Sequence, residues 1–156
     1  MKDDKDDLEA AFPKLRTAPY EITSRADSSY NCIAWTVGDS ERWWWPAQHA
    51  YWPSELPLSP TLETFVQVFR RLGYEICKDA SLEEGWEKIA IYAKKDGIPT
   101  HATRQLPDGR WTSKLGKDVD IVHDAPASLS SEIYGDPLVF MRKHRKMVNS
   151  SQGGDN

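Results

Sequence analysis

Cys32 and His101 are the residues whose types and spacing allow nucleophilic chemistry in this chain. A thiol attacks only as its thiolate, and the unpaired N–H groups of a helix N-terminus lower a thiol pKa. A histidine within hydrogen-bond reach takes the proton and forms the ion pair. Cys32 opens an apolar run, Ile33, Ala34, Trp35 and Val37, which follows the polar stretch 24–29 and ends at Gly38. That pattern predicts a short buried helix with the thiol at its start. His101 falls inside a predicted central strand, 99–105, where a rigid scaffold can aim it. The bland alternative is packing, because cysteine is among the most buried residue types.

The elements that must position these two side chains can be read in outline. Residues 59–73 carry the clearest helix pattern, with Leu62, Phe65, Val66, Phe69 and Leu72 on one stripe. Pro60 suits its first position and Gly73 its end. Residues 74–77 read as a short strand that places Cys77 in the core, and Ser81 with Glu84 has capping-box spacing for one helical turn. Strands are predicted at 86–93, 99–105 and 110–114, joined by turns at 95–97 and 107–109. A further extended piece at 121–123, a helical turn within 128–133 and a last strand at 138–141 complete the pattern. Helices come first and an antiparallel β-meander second, which is an α+β order rather than alternating βαβ. The stretch 39–60 is too rich in proline for regular structure and reads as a long loop packed by its own rings.

Two local patterns carry a resemblance. Cys32 is preceded by Tyr30 and Asn31 and followed by Ile33, Ala34 and Trp35. This resembles the nucleophile segment of papain-like cysteine hydrolases of the NlpC type. The run from His101 to Ser113 resembles the histidine hairpin of the same superfamily, and the order of the two also matches. The resemblance covers residues 28–115 and is one of pattern. It implies N-terminal helices packed on the meander as an NlpC-like core, and a hydrolase of an amide or related acyl bond: a peptidase, amidase or deamidase. Cys32 would attack and His101 would exchange the proton, with a third polar residue orienting the imidazole. The hairpin spacing puts Ser113 at that third place, with Lys114 one register step away. His123 is the better orienter chemically, and Asp120 is a further choice. The backbone N–H of Cys32, with the Tyr30 hydroxyl, would form the oxyanion hole; the alternative for Tyr30 is packing. Trp43 and Trp45 would wall the substrate cleft or else close the core under the loop. Asn31 and Ile33 depart from the usual Asp and small residue. That departure motivates a second reading, a catalytically silent papain-like binding module. No cofactor is implied.

Composition bounds these readings. A chain of 156 residues suits one domain, and here the folded unit is predicted at 12–145, with an acidic tail at 1–11 and a polar one at 146–156. A net charge of −4 argues against nucleic acid as partner, and no apolar run is long enough to span a bilayer. The partner that the resemblance implies is a peptide or other amide-containing substrate. Two cysteines make no disulfide scaffold, and His49, Cys77 and His123 lack the spacing of a metal site. The acidic N-terminus shows no export signal, which predicts a cytoplasmic protein or an effector delivered by another route. Seven tryptophans stand out; Trp35, Trp86 and Trp111 are expected in the core.

Overall fold

The computed structural model describes residues 4–145. The predicted polar tail at 146–156 lies outside them. The chain forms a mixed α/β fold around one seven-stranded sheet with few helices. In chain order the elements are α1 (Asp4–Ala11), a 3-10 turn (Pro13–Arg16), β1 (Tyr20–Ile22), α2 (Cys32–Thr36) and α3 (Leu62–Arg71). There follow β2 (Glu75–Cys77), β3 (Trp86–Ala93), β4 (Pro99–Gln105), β5 (Trp111–Lys114), β6 (Asp120–His123), a second 3-10 turn (Pro126–Leu129) and β7 (Asp136–His144). The strand order is β1-β6-β5-β4-β3-β7-β2, and every neighbouring pair is antiparallel.

The sheet divides two cores. On one face, Ile89, Ile91, Ala102 and Met141 pack against Cys32, Ile33 and Ala34 of α2 and Phe65, Val68 and Phe69 of α3. On the other, Tyr92 and Ile121 pack against Leu8, Phe12, Leu15 and Leu129. Successive side chains of a strand point to opposite faces. Along β3, Ile91 therefore faces α2 and α3 while Tyr92 faces α1. The acidic segment predicted as a tail is thus partly structured: α1 buries Leu8, and Phe12 follows it into the second core. Two apolar side chains at 8 and 12 were enough to dock one helical face.

Local chemistry explains the element ends. Asn31 caps α2, its side-chain oxygen accepting the Ala34 N–H. Thr61 caps α3 in the same way through Thr64 N–H, so Pro60 lies just outside the helix rather than in its first turn. Gly73 follows α3 at φ +99°, a left-handed conformation that favours glycine. The expected helical turn at Ser81 is instead a bend, in which Asp79 accepts both the N–H and the O–H of Ser81. Cys77, expected in the core, is only half-buried on the edge strand β2, beside a largely exposed Ile76. Of the three tryptophans expected in the core, Trp111 is buried, whereas Trp35 and Trp86 are half-buried. The loop 39–60 has no regular element apart from one bridge, Trp44 to Tyr51.

Candidate functional site

The structure places the thiol where the sequence predicts it. Cys32 is the first residue of α2, and its side chain is buried. Burial pushes the thiol up to about 11, against the pull of the Ala102, Ile33 and Cys32 N–H groups and the Lys114 ammonium. Desolvation therefore defeats the helix N-terminus, which here heads a helix of only five residues. At neutral pH the group is a thiol.

His101 does not join it. Ala102 lies in the core with α2, so the adjacent His101 points to the opposite face of β4. There its ring stacks on Tyr134 at 4.1 Å and meets the edge of Tyr92 at 5.0 Å. Neither ring nitrogen has a hydrogen-bond partner. Burial, with the nearby His123, holds the imidazole well below its ordinary pKa. The two members of the expected dyad therefore make no hydrogen bond to each other.

The candidates for third residue form a cluster of their own on the His101 face. His123 Nδ1 donates to the Ala125 carbonyl at 2.9 Å, which leaves Nε2 as the acceptor, 2.8 Å from Ser113 Oγ. Ser113 Oγ also lies 2.7 Å from Thr103 Oγ1, whose proton goes to the Thr112 carbonyl at 2.9 Å. His123 and Ser113 are both buried, and burial lowers the His123 pKa to about 4. A serine beside a neutral, oriented histidine has the geometry of a nucleophile and base. Here both are sealed from solvent, and the network satisfies buried polar atoms. His123 does not orient His101.

The other predicted residues have structural partners. The Tyr30 hydroxyl donates to Asp120 Oδ2 at 3.0 Å, so its proton is already committed and does not serve an oxyanion hole. Asp120 also accepts from Thr23 through Oδ1. Lys114 is fully buried, and its ammonium donates to three carbonyls, those of Asp27, Gly116 and Asp118, at 2.5, 2.6 and 2.6 Å. Three donors meeting three acceptors fix the loop before α2 to the turn after β5. Trp45 packs on Phe65 of α3 at 5.3 Å, and Trp43 donates its indole N–H to the Ser28 carbonyl at 2.6 Å. The aromatic loop therefore closes the core rather than walling a cleft at Cys32. Among the described residues no group of three or more His, Cys, Asp or Glu could hold a metal ion.

Two residues with a structural part in this region escaped sequence reasoning. Tyr134 covers His101, and only the chain's return through 130–136 puts it there. The signal was glycine at the next position: a Cβ on Gly135 would sit 2.2 Å from the Ala93 carbonyl oxygen. Asn31 holds α2 and the aromatic loop together. Its Oδ1 accepts the Trp44 N–H at 3.1 Å while its Nδ2 donates to the Trp44 carbonyl at 2.9 Å.

A family model described as "Domain of unknown function (DUF7689)" matches residues 21–142. The chain belongs to that family. The matched stretch begins at β1 and ends within β7, so it spans the whole sheet of this DUF7689 domain and leaves α1 outside. No curated protein and no solved structure matches the chain. No helix among the described residues is long and apolar enough to cross a membrane.

Two outcomes follow for this DUF7689 domain. Asn31→Asp keeps a good cap but replaces the donor to Trp44 with a carboxylate oxygen, so it should cost about 2 kcal/mol. The check is a lower urea midpoint at unchanged slope. The second concerns acid. Below its ordinary value of 6.5, unfolded His123 binds a proton that the folded form refuses until about pH 4. The unfolded state then binds more protons, so stability should fall as pH drops through that window. Each buried histidine contributes up to about 1.4 kcal/mol per pH unit, and His123→Asn should flatten the dependence in urea titrations between pH 4 and 7.

Proposed function

We propose that this chain is a binding module that performs no thiol catalysis. The observation that carries the reading is His101: among the described residues its ring nitrogens have no hydrogen-bond partner, Cys32 included, and strand alternation turns its side chain away from the face that Ala102 shares with α2. Nucleophilic catalysis needs base and nucleophile within about 3 Å, allowing for looser geometry without substrate. A peptide-bond direction of β4, rather than a side-chain rotamer, would have to change to bring them together. The burial of Cys32 and its raised pKa support the same reading. In this view the cysteine-bearing helix, packed on an antiparallel meander, retains the outline of a papain-like core, and the thiol fills space. The partner class expected from the sequence, a peptide or other amide-containing molecule, is then bound at a surface other than Cys32.

The alternative hydrolase reading rests on the Ala102 N–H, which belongs to the residue next to His101 and pulls the Cys32 thiol pKa down. Thiol labelling separates the two. With iodoacetamide at pH 6, Cys32 should react at least about tenfold more slowly than the half-buried Cys77, and His101→Ala should leave its rate unchanged. In the wild type, its rate should keep rising with pH beyond 9. Rapid labelling of Cys32 at pH 6 that is lost in His101→Ala, with a rate that levels off below neutral pH, would restore the hydrolase.

A further inference from the structure

A second polar feature lies at the other end of α2 from Cys32. A cleft of about 280 Å³ opens there between Val37, Leu72, Tyr74, Glu87, Arg104 and Lys143. Arg104 forms no ion pair with a carboxylate of the described residues, and its Nε is buried without a hydrogen-bond partner among them. The contact made by its guanidinium is with the face of Trp35, 5.7 Å away. The nearest acid in the cleft is already engaged. Glu87 Oε2 accepts from the Tyr74 hydroxyl at 2.6 Å, and Oε1 faces Arg145 at 3.5 Å. Lys143 lies over the Tyr74 ring at 4.8 Å.

An Nε–H buried without an acceptor is costly, because that donor has left water and gained nothing, while the half-buried residue leaves the rest of the guanidinium free to meet a ligand. Its planar fork matches a carboxylate edge, which it binds through two parallel hydrogen bonds. The walls contributed by Val37, Leu72 and Tyr74 suit an apolar body, and the volume suits one small one. Glu87 sets the charge limit, since a dianion beside that carboxylate would meet repulsion that a monoanion largely avoids. We infer that this cleft binds a small monocarboxylate with an apolar body, its carboxylate held by Arg104 and Lys143. The carboxylate can belong to the last residue of a peptide or to a free organic acid. The site is separate from Cys32, so it stands or falls independently of the thiol's chemistry.

The test is an NMR titration of the full chain, following the Arg104 side-chain Nε–H and the Trp35 indole N–H. The probes are N-acetyl-leucine, N-acetyl-leucinamide, isovalerate and inorganic phosphate. The two carboxylates should shift both signals saturably, and the amide should bind at least about tenfold more weakly because it lacks the charge that the fork recognises. Tighter binding of N-acetyl-leucine than isovalerate assigns the peptide terminus, and the reverse order assigns the free acid. Arg104→Gln, which removes an unpaired charge and should not unfold the domain, should abolish binding, while Arg104→Lys should retain part of it. Equal binding of acid and amide, preference for phosphate, unchanged binding by Arg104→Gln, or no saturable shift with either carboxylate would overturn the proposal.

Discussion

The alternation of side chains along β4 governs what this molecule can do. Ala102 faces α2, and so Thr103 and His101 must face the other way. The Cys32 thiol thus packs with Ala102, while the His101 imidazole packs with Tyr92 and Tyr134. Ile89 and Ile91 on β3 keep the same register with Arg104 and Ala102, so the separation is fixed by two paired strands. A one-residue slip of β4 would exchange its two faces, and would also break the bonds of Thr103 to Ser113 and to the Thr112 carbonyl. The buried apolar residues of both cores oppose that slip.

Around this frame, polar residues act as ties. The Asn31 amide both caps α2 and pairs with both backbone groups of Trp44, so the start of the helix and the aromatic loop are held as one unit. An aspartate, usual in the NlpC-like pattern, lacks the N–H that Trp44 requires. Lys114 and Asp120 lie opposite each other on β5 and β6, and each is committed to the loop before α2. Polar side chains at 114 and 120 lie on the α2 side of the sheet, and those at 103, 113 and 123 on the far side. Both sets are satisfied internally, while the two ring nitrogens of His101 have no partner among the described residues.

Much of the fold was legible because its signals are local. The stripe 62–72, the run behind Cys32, and the turns at 95–97 and 107–109 predict α2, α3 and β3 to β5 with little error in their ends. The short strand β1 was not legible: three residues, Tyr20 to Ile22, gain their strand character from pairing with β6, about a hundred positions away. The docking of α1 likewise depends on a core assembled by later residues. The types of the candidate site residues were legible, but their grouping was not. Whether His101 shares a face with Cys32 or with Ser113 and His123 depends on strand phase relative to α2, and no local pattern around position 101 encodes it. The same holds for Tyr134, whose ring reaches His101 only through the tight approach of Gly135 to Ala93.

The separation of Cys32 from His101 is tested most directly by the charge of the His101 ring. A catalytic pair would hold the imidazole as its cation at neutral pH, and removing the thiol would release it. Burial without a partner should instead keep it neutral. The measurement is a ¹⁵N NMR titration of the histidine rings in the wild type and in Cys32→Ala. The account predicts a neutral His101 ring from pH 8 down to at least about 5, with the same signals in both proteins. A protonated His101 ring at pH 7 that becomes neutral in Cys32→Ala would contradict it.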